Sequence, residues 1–117
     1  MPVFRINGRI WLETEQGERF LGIGRLELLG HIQRTGSISQ AAKAMNMSYK
    51  RAWDLVQSLN NLAAQPLVLT QTGGQKGGGT SLTAAGEAYL RYYQELHARF
   101  QQFMEKESQQ LAGMEFG

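Results

Sequence analysis

The chain has 117 residues, of which 42% are hydrophobic and 19% charged, with a net charge of +2 and no cysteine. That length suits one domain with its own core, and the lack of cysteine excludes disulfides and thiolate metal sites. No run approaches the ~18 consecutive apolar residues of a membrane span, and the opening MPVFRINGR lacks the apolar core of a signal peptide, so a cytoplasmic protein without membrane contact is expected.

Residues 1–21 read as an N-terminal β segment. Asn7-Gly8 predicts a two-residue hairpin turn between Phe4-Arg5-Ile6 and Ile10-Trp11-Leu12. Gln16-Gly17 marks a second turn before Phe20-Leu21, which makes a small antiparallel meander. After Gly22 and Gly24 the period changes. Leu26, Leu29 and Ile32 fall on one helical face with Leu28 beside them, and Gly36 is a natural stop.

Ser37-Ile38-Ser39-Gln40 matches a capping box, in which Ser37 accepts the amide of residue 40 and Gln40 reaches back. A short helix through Met45 follows, and Ala41, Ala42 and Ala44 let a neighbouring helix pack closely. Asn46 tolerates the left-handed geometry of a sharp turn. Ser48 caps the next helix, predicted to run to about Ala64 with Ala52, Val56, Leu59 and either Leu62 or Ala63 inward. Ser48, Tyr49, Lys50, Trp53, Asp54 and Gln57 then fall mostly outward. Pro66 bars continuation. Leu67–Thr70 and Thr80–Leu82 read as strands around a glycine-rich loop.

Thr83 can cap a final helix from about Ala84 to about Leu111. Tyr89, Tyr93, Leu96, Phe100 and Phe103 recur at spacings of 4, 3, 4 and 3, a heptad seam. Two heptads are too few for a free coiled coil. Packing on the chain's own domain is one reading of the seam, and dimerisation is the other.

Charge is unevenly divided. Residues 34–86 hold Arg34, Lys43, Lys50, Arg51 and Lys76 against Asp54 alone, whereas the segments on either side are balanced or acidic. This polarity suits a polyanion on one face. Two helices joined by a tight turn, the second opening on Ser48, Tyr49, Lys50 and Arg51, have the layout of a helix-turn-helix whose second helix enters the major groove.

Lys50 and Arg51 oppose the helix dipole at that end. A DNA phosphate or a guanine edge explains the exception, although solvated surface cations would look the same. Trp53, near the boundary of the two faces, is either a packing residue or an apolar contact to a thymine methyl. Asp54 can accept from a cytosine amino group or pair with Lys50 at i,i+4. Lys76 and the loop glycines suit a wing tip that lets backbone amides approach a phosphate.

The expected fold is therefore mainly α with small β elements. It is a single winged helix-turn-helix domain over 1–117, with the N-terminal β segment (1–21), a winged core (22–83) and a long dimerisation helix (84–112). The DNA-binding candidates are Ser37, Ser48, Tyr49, Lys50, Arg51, Trp53, Asp54, Gln57 and Lys76. His31 and His97 are the only histidines, and no cluster resembles a triad, a carboxylate pair or a metal site, so neither an enzyme nor a cofactor is expected.

Gly36-Ser37-Ile38-Ser39-Gln40-Ala41-Ala42, then Met47-Ser48-Tyr49-Lys50-Arg51-Ala52-Trp53-Asp54, then the glycine-rich wing resemble the N-terminal domain of the ModE family. These are molybdate-responsive transcriptional regulators whose DNA-binding domain is similar to that of LysR-type regulators. The resemblance covers roughly residues 20–105. It implies a winged helix, a homodimer formed outside the recognition helix, and binding to a palindromic operator. No residues here match the family's molybdate site, which lies in separate C-terminal domains. The resemblance therefore implies a one-domain relative without direct molybdate sensing, served by a separate sensing protein if by any. A winged-helix interaction module that does not read DNA, and a sensor of small oxyanions at the dimer interface, are the alternatives.

Overall fold

A computed structural model of the chain describes residues 4–71 and 79–114. The tip of the glycine-rich loop, with Lys76, lies outside them.

Three helices form the centre, and their ends are set by the residues the sequence singles out. Helix α1 (Ile23–Thr35) buries Leu26, Leu28, Leu29 and Ile32. It ends where Gly36 turns to a φ of 70° and donates its N–H to the Ile32 carbonyl, a conformation glycine adopts without steric cost. Helix α2 (Ile38–Ala44) begins where the Ser37 hydroxyl oxygen accepts the Gln40 amide at 3.1 Å. The reciprocal half of the expected capping box is replaced: the Ser37 amide donates to Thr35 Oγ1 at 3.3 Å, two residues back across the turn. Asn46 takes a φ of 56°. Ser48 then caps α3 (Tyr49–Leu62) by accepting the Arg51 amide at 3.1 Å.

Helix α3 buries Ala52, Val56 and Leu59 against the other two. It stops two residues before the expected Ala64. Asn60 Oδ1 accepts the amides of Leu67 (2.8 Å) and Val68 (3.1 Å), while Asn60 Nδ2 donates to the Val68 carbonyl at 3.0 Å. One side chain on the last turn of the helix thus draws the following strand back against it.

Strands β3 (Val68–Gln71) and β4 (Gly79–Leu82) pair antiparallel, with Val68 opposite Leu82 and Gln71 opposite Gly79. The Thr80 amide donates to the Gly36 carbonyl at 2.9 Å, which fastens β4 to the turn between α1 and α2. Thr83 Oγ1 accepts the Gly86 amide at 3.0 Å and donates to the Pro66 carbonyl at 2.7 Å. It thereby starts α4 (Ala84–Ala112) and ties that helix to the base of the hairpin. Gly86 is buried so close to Leu67 that a Cβ would overlap the Leu67 carbonyl.

Helix α4 has 29 residues, about 43 Å at 1.5 Å per residue. It accounts for much of the molecule's 71 Å long axis, against 30 and 22 Å across. Leu90 and Tyr93 anchor it in the core.

The N-terminal segment departs from expectation. Gly17, at a φ of 87°, does turn the chain between β1 (Leu12–Glu13) and β2 (Arg19–Leu21). Residues 4–10 form no strand, however, and the Asn7-Gly8 hairpin is absent. The groups it needed are committed elsewhere. Leu12 pairs with Leu21, the Ile10 carbonyl accepts the Tyr93 hydroxyl at 2.7 Å, and the Ile6 amide donates to Ser108 Oγ at 2.7 Å. The segment lies on α4, with Ile6 and Asn7 bordering the same hollow as the buried Met104.

Candidate nucleic-acid interface

Asn46, with its positive φ, and the cap at Ser48 fix the turn between α2 and α3, and the alanines of α2 bring the two helices together. Burial of Ala52, Val56 and Leu59 leaves Ser48, Tyr49, Lys50, Arg51, Trp53 and Asp54 exposed on the other side of α3, with Gln57 half-buried. The first turn of α3 holds no acid. Its free backbone N–H groups and two cations therefore present positive charge together, an arrangement that suits an anion better than water.

Two side-chain pairs organise this face. Lys50 Nζ lies 3.1 Å from Asp54 Oδ2, both well exposed. Such a surface pair contributes well under ~1 kcal/mol to stability, but it holds the lysine along the helix. Tyr49 and Trp53 stack with ring centroids 6.5 Å apart and planes at 19°. Trp53 is 36% exposed, so its ring lies at the boundary of the packed face and remains open to a partner on one side. Ser37, at the start of α2, is half-buried, and its oxygen is occupied as a cap.

The aromatic residues of α4 separate into two groups. Tyr93 is 1% exposed within its own subunit, with its hydroxyl on Ile10 and its ring stacked on His97. It cannot face a second copy as the heptad reading requires, because the N-terminal segment and the core already enclose it. Phe100 and Leu96 are half-buried. Tyr89 packs edge-on to Phe20 at 5.2 Å. The residues left on the surface are Tyr89, Tyr92 and, at 56% exposure, Phe103. Tyr92 was absent from the predicted seam.

Sequence reasoning also missed three arginines beside α3. Arg25, in the first turn of α1, donates through Nη1 to the Phe20 carbonyl and to Ser58 Oγ, both at 3.1 Å. Burial first, then repulsion from Arg19 and Arg51, lowers its pKa below the ordinary arginine value. Arg19 lies over the Trp11 ring at 4.1 Å. Arg9 lines the same hollow as these two and Arg51. No local pattern in the sequence joins residues so far apart.

Among the described residues no group of three or more His, Cys, Asp or Glu side chains could hold a metal ion. No helix among them is long and apolar enough to cross a membrane.

Comparison with known proteins agrees with this architecture. The family described as bacterial regulatory helix-turn-helix protein, lysR family, matches residues 23–87. The chain is similar to the molybdenum transport protein ModE of Azotobacter vinelandii, 40% identical over 95% of this chain and 41% of that one. It is 44% identical to the DNA-binding transcriptional dual regulator ModE of Escherichia coli K12, over 74% of this chain and 33% of that one. It thus spans less than half the length of these relatives. The crystal structure of BenM DBD in complex with benA site 1 DNA superimposes with a TM-score of 0.60 at 15% identity, over 80% of this chain and all of that one. At that identity the likeness establishes the winged helix-turn-helix fold.

Proposed function

The chain belongs to the lysR family of bacterial regulatory helix-turn-helix proteins, and from that premise we propose that it is a ModE-type transcriptional regulator that binds duplex DNA. Helix α3 enters the major groove with its N-terminal turn leading. The β3–β4 hairpin flanks it as the wing. The observation that carries this reading is the acid-free, cationic and exposed first turn of α3, presented on the outer face of a helix-turn-helix. A surface selected only for stability would place carboxylates there.

Within this reading the roles divide by reach. Lys50 and Arg51 meet phosphates or base edges. Trp53 offers an apolar edge, and Tyr49 stiffens it by stacking. Asp54 either keeps Lys50 extended or releases it and accepts from a cytosine amino group. Lys76, beyond the described residues, supplies charge at the wing tip. The complex is a homodimer on a palindromic site, joined through α4. The exposed Tyr89, Tyr92 and Phe103, with Leu96 between them, support that assignment. Burying them against a second copy would contribute roughly 25 cal/mol per Å² of apolar area.

Selection from a pool of randomised duplexes, followed by fluorescence anisotropy with the winning and scrambled sequences, tests the proposal. A sequence preference of at least a hundredfold at physiological salt is the expected result. Equal, weak binding to every duplex would leave only an electrostatic binder and remove the regulatory reading.

A further inference from the structure

Four arginines line one hollow beside α3, two of them ahead of the residues that the family match covers. A cavity of about 390 Å³ is lined by Arg9, Arg19, Arg25 and Arg51, with Trp11 as an apolar wall and no carboxylate in its lining. Three of the five residues just named, Arg9, Trp11 and Arg19, precede residue 23, where the lysR-family match begins.

The four cations share one lining, and the carboxylates at its margin are Asp54, beside Arg25 and Arg51, and Glu13, opposite Arg19 in the β1–β2 register. Each is engaged by another group: Asp54 by Lys50, and Glu13 Oε1 by the indole N–H of Trp11 at 2.8 Å. Arg25 is held rigidly by two bonds through Nη1, which leaves Nη2 and Nε without a protein acceptor among the described residues. The Arg19 guanidinium carbon lies 4.1 Å over the Trp11 ring, and a guanidinium held on an aromatic ring can still offer N–H groups to oxygen ligands. Burial and the like charges of Arg19 and Arg51 disfavour the Arg25 cation, a cost that a bound anion would offset. The backbone adds to the same field. Gly22 and Gly24 line the cavity, and the N-terminus of α1 there has neither a side-chain cap nor an acid in its first turn.

We propose that this cavity is a binding site for a phosphate-class oxyanion, gripped by Arg9, Arg19, Arg25 and Arg51. Planar guanidiniums meet such oxygens in bidentate pairs. The site adjoins the face that reads DNA in the function proposed above, since Arg25 and Arg51 also border the hollow formed with Ser48 and Lys50. It therefore rests partly on that reading when its occupant is a backbone phosphate, and stands apart from it when its occupant is a free anion. In the first case the N-terminal segment is a third DNA-contacting element, beside α3 and the wing.

The test uses Arg9→Gln/Arg19→Gln, which removes two exposed charges and leaves the Arg25 bonds intact. Arg5→Gln/Arg91→Gln is the charge-matched control outside the cavity. The salt dependence of duplex binding is measured for all three proteins, and inorganic pyrophosphate is titrated calorimetrically at low ionic strength into each. A log–log salt slope shallower by about one to two units in the cavity variant alone identifies a backbone phosphate as the occupant. An unchanged slope, with saturable pyrophosphate binding in the parent that the cavity variant loses, identifies a free anion. Pyrophosphate binding by a parent that ignores duplex DNA would sink the proposed function and keep this site. Equal slopes in the cavity variant and the parent, with no saturable pyrophosphate heat, overturn the proposal. So does a slope change of the same size in the control.

Discussion

The Tyr93 hydroxyl donates to the Ile10 carbonyl at 2.7 Å across a sequence separation of 83 residues. One bond thus joins the N-terminal segment to the first third of α4 and helps keep that face of the helix covered. Removing the hydroxyl isolates its contribution. Tyr93→Phe keeps the buried ring and leaves the Ile10 carbonyl without its donor, so it should cost about 1 kcal/mol in urea unfolding near neutral pH. Burial raises the Tyr93 pKa. The folded state therefore holds the phenol's proton more tightly than the unfolded chain does. That stabilising term is fully present below the ordinary tyrosine pKa of about 10 and is lost as pH rises through the folded value. Parent and variant should accordingly converge in stability above about pH 10, and a gap that widened with alkalinity would contradict this account.

Gly86→Ala should be far more damaging than an ordinary glycine substitution in a helix. Alanine normally stabilises a helix interior by about 0.5–1 kcal/mol. Here the new methyl meets the Leu67 carbonyl, and backbone cannot yield as a side-chain tip can. A net loss of about 1–3 kcal/mol is expected from overpacking, read as a fall of several degrees in the thermal midpoint by circular dichroism. An unchanged midpoint would mean that α4 can slide away from the hairpin.

Lys50→Ala and Asp54→Ala should act in opposite ways on DNA. Loss of the lysine should cost ~1–3 kcal/mol on the preferred duplex if it reads a base, and relax preference at one position. Loss of the aspartate frees Lys50 from the 3.1 Å pair. It should strengthen binding to arbitrary duplexes while narrowing the gap between preferred and scrambled sequences. Anisotropy titrations at two salt concentrations measure both. Parent-like curves for both variants would place the interface elsewhere.

Phe103→Glu should shift the protein towards monomer without unfolding it. The ring is 56% exposed in the single subunit, so the monomer loses little, whereas a dimer would have to bury an unpaired carboxylate. Sedimentation equilibrium at tens of micromolar, beside a melting curve, separates the two effects. A monomeric parent would remove the role assigned to the exposed stripe.

Where a single residue governs local geometry, the sequence was a reliable guide. Ser37, Ser48 and Thr83 cap the helices that follow them, and Gly36 and Asn46 take the left-handed turns. Each of these outcomes depends on neighbours within three or four positions. The failures share the opposite property. Asn7-Gly8 carries a strong local turn signal, yet Ser108 and Tyr93, about a hundred and about eighty positions away, compete successfully for the same backbone groups. The heptad reading placed Tyr93 outward because it could not know that the N-terminal segment covers that side of α4. Tyr92 was passed over for the same reason. Asn60, polar and near a helix end, gave no sign that it would hold two amides and a carbonyl of the next strand. The arginine cavity needed the N-terminal segment, β2, α1 and α3 to be in place before its members could be seen as neighbours.

The bond from the Thr80 amide to the Gly36 carbonyl gives the hairpin a mechanical character. With Asn60 clamping the root of β3 and Gly36 clamping β4, the hairpin is a cantilever built into the same masonry that sets the angle between α1 and α2. Both mountings lie within the described residues, so changes of sequence between Gln71 and Gly79 leave them in place. Sequence variation in that stretch is thereby insulated from the geometry of α1, α2 and α3.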